Sequence, residues 1–549
     1  MYSIKRYKIK IFADGMSAMK KDKKKKHSEH KGLRMAKNWK KGFFTVLFSR
    51  LGFVVLMLLV QVLILLIIWG FFGQIMKQYI IGGQAAFELV VLLILFNSPM
   101  DSTAKLSWML IIALMPFFGS VFYLWTHIEM GHRTIKQRLN QLTESSKKNL
   151  KQQTEALKHL GEQSESSAAL SRYLYKIADC TVYENTSVEY FSLGEIKFPK
   201  MLEEIEKAEK FIFLEYFIIE EGYMWGNVLE LLAKKAKCGV DVRVMYDGTC
   251  EFTTLPYYYP KRLEVLGIKC KMWEPIKPVI TSTYNYRDHR KILVIDGKTA
   301  FCGGINLADE YINRVKRFGH WKDTAIMLKG AAVDPFTLMF LQMWNVNRSK
   351  MDDFSKYLGL YDRNIRANGF VIPYPESPLN DHKLAERVYI NILYSANKYV
   401  YITTPYLILD DEIKGALRFA AERGVDVRIV VPGIPDKKAV WALSKSYYKP
   451  LIKAGVKIYE YTPGFIHSKV FVSDDTKAVV GTINLDYRSL YHHFECAAYL
   501  YGVDCIPDIK KDMRYCFDNS KRIRLEDIKK EKADIKILGK VLKFIAPLL

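Results

Sequence analysis

The chain has 549 residues, enough for two or more domains. Its net charge of +24 is uneven: residues 1–50 hold a basic surplus of 13 and residues 521–549 a surplus of 5, leaving about +6 for everything between. A nucleic-acid groove would gather charge around the site, whereas charge flanking apolar segments suits an anionic lipid surface; the eight cysteines show neither CxxC nor paired-His spacing, so neither a zinc site nor a disulfide framework is indicated.

In chain order, residues 1–50 are basic and low in complexity, and read as a disordered cytoplasmic tail. Residues 51–125 read as a membrane region. Leu51 to Phe72 is uncharged and long enough to span a bilayer. Residues 80–96 form a second apolar run, shorter and interrupted by Gln84 and Glu88. Residues 106–125 form a third, with Pro116 and Gly119 inside it. The N-terminal charge predicts an inside N-terminus, while Arg133, Lys136 and Arg138 place the chain after the third run inside as well. Both hold if the second run is re-entrant or interfacial and runs one and three form a hairpin. Residues 126–180 are polar and read as a plain helical or flexible linker.

From residue 181 the chain is an internal duplication, with halves at 181–355 and 356–520. Ala208 to Glu215 (AEKFIFLE) aligns with Ala396 to Thr403 (ANKYVYIT), and Gly239 to Arg243 recurs identically as Gly424 to Arg428. Helical runs alternate with apolar strands, which predicts two mixed α/β lobes meeting at a pseudo-twofold seam. Residues 521–549 close the chain as a basic segment in which Ile535, Leu538, Leu542, Ile545 and Leu549 share a helical face. That helix either docks on the core or contacts a membrane surface.

Each half carries the same long motif. His289 to Asn306 reads HRKILVIDGKTAFCGGIN, and His467 to Asn484 reads HSKVFVSDDTKAVVGTIN. In both, Lys follows the His by two, Asp by seven and Asn by seventeen. Ile292 to Ile295 predicts a strand entering a hairpin at Asp296-Gly297, and the return strand delivers Gly304 and Asn306 near His289. The second copy does the same with Lys469, Asp474, Thr482 and Asn484. Two His, two Lys and two Asn would then share one site. Lys and Asn donors suit a phosphoryl group without a metal or other cofactor, and two near-neutral imidazoles allow a two-step displacement through a phosphohistidine. Asp296 and Asp474 fall at odd parity in the turns, where a structural role fits. Each imidazole needs an acceptor on its other nitrogen, and Asp323 and Glu495, at equivalent places after the motifs, are the candidates. Glu215, Asp247, Tyr406, Asp486, Arg488 and Ser489 are weaker candidates for the cleft, and His492 and His493 read as solvated or packing residues.

These residues match the two-copy HxKxxxxD signature of the phospholipase D superfamily. The stretches NYRDHRKILVIDGKTAFCGGINLADEY, TPGFIHSKVFVSDD and GTINLDYRSLYHHFE resemble more closely the bacterial cardiolipin synthases of the membrane-spanning type. The resemblance implies a bilobed α/β fold behind transmembrane helices, a multi-pass place in a bacterial cell membrane, and catalysis by His289, Lys291, Asp296, His467, Lys469 and Asp474. It implies phosphatidylglycerol and anionic lipids as partners, bound with help from Asn306, Asn484, Gly304, Thr482, Asp323 and Glu495. It further implies that one phosphatidylglycerol passes its phosphatidyl group through a His to a second, giving cardiolipin and glycerol. The rival readings are a hydrolytic phospholipase D, a nuclease of the same superfamily, and a non-catalytic membrane scaffold.

Overall fold

The computed structural model describes residues 74–127, 130–147, 150, 152–274, 286–380 and 382–548, with isolated residues between 59 and 70. The expected tail, and most of the apolar run 51–72, lie outside the described residues.

Two sheets of the same design form the body. The first contains β1 (Thr186–Phe191), β2 (Phe211–Tyr216), β3 (Asp241–Asp247), β4 (Lys269–Trp273), β6 (Lys291–Ile295), β7 (Thr299–Gly303) and β9 (Ala325–Gly330). Two short strands, β5 (Arg287–Asp288) and β8 (His320–Lys322), lie off it. The second sheet contains β10 (Phe370–Glu376), β11 (Tyr399–Thr403), β12 (Asp426–Pro432), β13 (Lys457–Tyr461), β15 (Val470–Ser473), β16 (Lys477–Gly481), β17 (His493–Tyr501) and β18 (Ser520–Ile523), with β14 (Gly464–Ile466) off it. The orders are β1-β9-β7-β6-β2-β3-β4 and β10-β17-β16-β15-β11-β12-β13-β18. Strand for strand they match, and only β18 is extra, so the duplication read from GVDVR and its neighbours is a duplication of topology.

Both faces of the central strands are apolar, as strands buried on both sides require. Ile292 and Val294 of β6 point into a core shared with Val470 and Val472 of β15 and with the helix Val333–Asn345. Leu293 and Ile295 point to the outer core of the first lobe, and Phe471 to that of the second. The shared core is the seam. The motif hairpins turn tightly. Asp296 and Gly297 have φ of 53° and 65°, and Asp474 and Asp475 have 53° and 62°, the left-handed central pair of a tight turn that closes when the Lys298 amide donates to the Ile295 carbonyl and the Thr476 amide to that of Ser473.

The segment read as a plain linker is part of the fold. Helices Thr154–Gln163 and Glu165–Ala178 set Ala156, Leu160, Ala168, Leu170 and Leu174 into the outer core of the second lobe, and the Ser167 hydroxyl lies 2.8 Å from that of Tyr499. The run 106–125 is not one span either. It is two helices, Ser102–Leu114 and Pro116–His127, broken at Met115 (φ −135°, ψ 71°), because proline drives the residue before it out of helical conformation. The second helix folds back so closely that a Cβ on Gly119 would lie 2.9 Å from the carbonyl oxygen of Ile111. Thirteen helical residues reach about 20 Å, short of the ~30 Å hydrocarbon core. The run 80–96 sits within the helix Gln74–Phe96, where Gln84 donates to Glu88 at 2.7 Å. Among the described residues no helix is long and apolar enough to cross a membrane.

Candidate active site

The short strands build the site. β5 runs parallel to the start of β17, pairing Arg287 with His493 and Asp288 with Phe494. β14 runs parallel to β8, pairing Gly464 with His320 and Ile466 with Lys322. Both pairings cross the seam. Each ends on a histidine whose backbone N–H continues the ladder: His289 donates to the Phe494 carbonyl at 2.9 Å and His467 to the Lys322 carbonyl at 2.7 Å. The next residue on each partner strand is a carboxylate. Glu495 of the second lobe therefore meets His289 of the first, with both oxygens 2.8 and 2.9 Å from Nδ1. Asp323 of the first lobe meets His467 of the second, Oδ2 to Nδ1 at 2.6 Å. The two carboxylates are the acceptors on the rings, and they are exchanged between lobes.

Gly304 and Thr482 occupy matching places and serve these carboxylates differently. A Cβ on Gly304 would lie 2.1 Å from Asp323 Oδ1, so the glycine leaves the space that Asp323 fills. The Thr482 hydroxyl donates to Glu495 Oε2.

Lys291 and Lys469 are buried, at 2% and 3% exposure, beside their own histidines. Lys291 Nζ donates to the His289 carbonyl at 2.6 Å. Lys469 Nζ donates to the His467 carbonyl and lies 2.9 Å from His467 Nδ1. Asn306 is tied on both sides, accepting from the Ile218 amide at 3.0 Å and donating to the Tyr311 hydroxyl at 2.7 Å. Asn484 is buried, and its carbonyl oxygen has no hydrogen-bond partner among the described residues.

Burial sets the charge states. Desolvation, then Lys291, Lys469, His467 and Lys437, all push the His289 pKa well down. Desolvation and Lys469 bring His467 down to about 4, although Asp323 pulls the other way through its charge and hydrogen bond. Both rings are neutral near pH 7. With Nδ1–H donated to a carboxylate, each keeps a lone pair on Nε2. Desolvation lowers Lys469 to about 7 and Lys291 to about 8, against the pull of Asp323 and Glu495. The charges on Lys469 and His467 reach His289, and that on Lys291 reaches His467, so the two sets share one electrostatic environment.

Asp296 and Asp474, the last members of the signature, lie elsewhere. Asp296 accepts the backbone amides of Glu209, Lys210 and Phe211 at 2.7–2.8 Å. Asp474 accepts those of Asn397, Lys398 and Tyr399 at 2.6–2.9 Å. Both pin the start of a central strand to the hairpin turn. This corrects the catalytic role that the signature implies for them.

Phe217, Asp288, Arg290 and Tyr311 escaped sequence reasoning, while Glu215 and His493 stand there only as a weaker cleft candidate and as a solvated or packing residue. His493 is not solvated. It is buried, its ring 5.4 Å from that of His289 and its Nδ1 3.7 Å from Glu495. Phe217 lies edge-on to His289 at 4.8 Å, and Tyr311 edge-on to His467 at 5.5 Å. Behind the first motif, Asp288 and Glu215 are fully buried, and desolvation raises both, Asp288 to about 6. Arg290 stands 3.9 Å from Glu215 and donates Nε to the Glu495 carbonyl at 3.1 Å. For Asp288 and Arg290 the sequence signal is the difference between DHRK in one motif and IHSK in the other. Among the described residues one trio, His289, His493 and Glu495, has ligand atoms near enough for a metal, within 4.8 Å of each other; the hydrogen bond from His289 already occupies Glu495.

A family profile described as "Cardiolipin synthase, PLD-like domain" matches residues 201–344 and 389–518, and one described as "Phospholipase_D-nuclease N-terminal" matches residues 89–126. A protein named cardiolipin synthase from Halalkalibacterium halodurans is 32% identical over 464 residues, covering 83% of this chain and 91% of its own. The chain belongs to the phospholipase D-like cardiolipin synthase family. It is an enzyme of the phosphatidyltransferase kind that this family comprises. An uncharacterized protein of Streptococcus mutans shares 54% identity over 83% of this chain and 99% of its own. Among solved structures, phosphatidylserine synthase from Haemophilus influenzae superposes with a TM-score of 0.51 at 14% identity, over 70% of this chain and 98% of that one. That likeness concerns the fold. In this chain the two HxK segments meet at the seam, each histidine held by a carboxylate of the other lobe.

Proposed function

We propose that this chain joins two phosphatidylglycerol molecules into cardiolipin and glycerol, in a cleft assembled from both lobes. The observation that carries the reading is the reciprocal pairing of His289 with Glu495 and of His467 with Asp323. His289, which desolvation and the neighbouring lysines keep unprotonated, is the nucleophile. Its Nε2 lone pair attacks phosphorus while the bond from phosphorus to the glycerol oxygen breaks. His467, the ring whose proton Asp323 favours, takes up a proton when the anionic phosphodiester binds, and gives it to that oxygen. The hydroxyl of a second phosphatidylglycerol then loses its proton to His467 as its oxygen attacks phosphorus. The N–P bond breaks and His289 is restored. Lys291 and Lys469 neutralise the phosphoryl oxygens, with Asn484 as a further donor.

Transfer over hydrolysis needs water kept out, and the low exposure of both rings, 6% and 7%, favours the transferase. The enzyme would sit at a bacterial cell membrane, with the apolar run 51–72 as its span. Reconstitution in phosphatidylglycerol vesicles with lipid products read by mass spectrometry tests the proposal. Cardiolipin and glycerol should form with wild type and vanish with H289A and H467A. Phosphatidic acid as the main product would assign the hydrolase.

A further inference from the structure

The C-terminal helix Ala533–Ile545 has two unlike faces. One is fastened to the second lobe. At Gly539 it approaches the helix Lys438–Lys445 so closely that a Cβ would lie 2.3 Å from the Ala442 carbonyl oxygen, and Lys543 Nζ sits 4.4 Å over the Tyr447 ring. The other face is bare and apolar: Ile537, Val541 and Phe544 are 62%, 56% and 60% exposed. A helix that merely closed a core would turn polar residues outward.

The bare face is not isolated. The Ser107 hydroxyl donates to the Phe544 carbonyl, which joins this helix to Ser102–Leu114 near the other end of the chain. That helix and the next also present large apolar side chains, with Leu106, Leu114 and Phe117 at 66%, 70% and 44% exposure. Contiguous apolar surface drawn from several helices marks a membrane or protein contact. Charge selects between them. Lys532 and Lys540 are exposed at the rim, and residues 521–549 carry nine basic side chains against four acidic ones, as an anionic bilayer surface favours. The patch also adjoins the cleft. The Pro547 carbonyl lies 3.4 Å from His492 Nε2, and the next residue, His493, faces His289.

We propose that the face formed by Ile537, Val541 and Phe544 is seated in the interfacial layer of an anionic bilayer, level with the apolar faces of the N-terminal helices. The two chain ends then form one membrane-seated collar beside the active site. This rests on the reading that the substrates are bilayer lipids.

The test uses the full chain in phosphatidylglycerol-containing vesicles. A polarity-sensitive fluorophore is placed at V541C on a C238S background and, separately, at the native Cys238, which is exposed while the other seven cysteines are buried. Spin-labelled acyl chains should quench the label at 541 about twofold and leave that at 238 unchanged. Equal quenching at both sites would overturn the proposal. So would a shielded label at 541 without lipid that tracks protein concentration, which would assign the face to a second copy. In parallel, I537D/V541D/F544D should raise the apparent KM on vesicles about tenfold while turnover of monomeric short-chain phosphatidylglycerol stays unchanged; no change on vesicles would overturn the proposal. A wild-type chain inactive on both substrates yet quenched at 541 would count against the functional reading and leave the seating intact.

Discussion

Glu495 lies 2.8 Å from Nδ1 of His289, although 206 residues separate them and the seam divides the lobes that supply them. A carboxylate in that position fixes the ring's tautomer and orientation and stabilises it as positive charge develops. The damage from losing it should appear in the other lobe. E495Q is expected to lower kcat by about 10²–10⁴ with little change in KM, read as cardiolipin formed in vesicles by protein of unchanged circular dichroism. Survival of near-normal turnover would show that the pair is ornamental.

Gly304 offers a test with no functional group at all. The added methyl of G304A would meet Asp323 Oδ1 at 2.1 Å, and the carboxylate would have to leave His467. Turnover of G304A should fall to the level of D323N, about 10²-fold or more, and combining the two changes should cost little beyond either alone. Additive losses would place the effect of Gly304 elsewhere.

The hairpin aspartates separate structure from chemistry. Asp296 and Asp474 each accept three backbone amides. D296A or D474A should destabilise the protein by about 1–3 kcal/mol, seen as a lower midpoint in thermal denaturation. The fraction that remains folded should turn over at close to the wild-type rate. Loss of activity without loss of stability would restore a catalytic part for these residues.

Alkaline pH should disarm the site through its lysines. With Lys469 held at about 7 and Lys291 at about 8, raising the pH removes ammonium charge from the phosphoryl-binding groups. kcat/KM should fall between about pH 7 and pH 9, since this ratio reports groups of the free enzyme. K469R, whose guanidinium stays charged, should carry the alkaline limb upward even if its peak rate is lower. An unmoved limb would assign it to another group.

What the sequence made legible was whatever local pattern encodes. The continuous apolar strands, the Asp296-Gly297 turn and the repeated His, Lys and Asn spacing all depend on neighbours within twenty residues, and the strands and the turn appear where expected. The exchange of carboxylates was not legible, because it depends on the pairing of β5, two residues long, with a strand some 200 residues away. The polarity of residues 126–180 hid the docking of two of its helices on the second lobe, because their inward stripes, Ala156 and Leu160, then Leu170 and Leu174, are only a few residues wide. Pro116 was visible but was read as lying inside one helix, when its ring instead ends the first and starts the second. His493 offered no pattern, since only the fold sets it beside His289.

The strands that cross the seam also bear on ancestry. A gene encoding just one such half would yield a molecule whose imidazole lacked its carboxylate until a twin supplied one. In form, then, the protein is a dimer written into a single polypeptide, and each histidine depends on residues of the other copy.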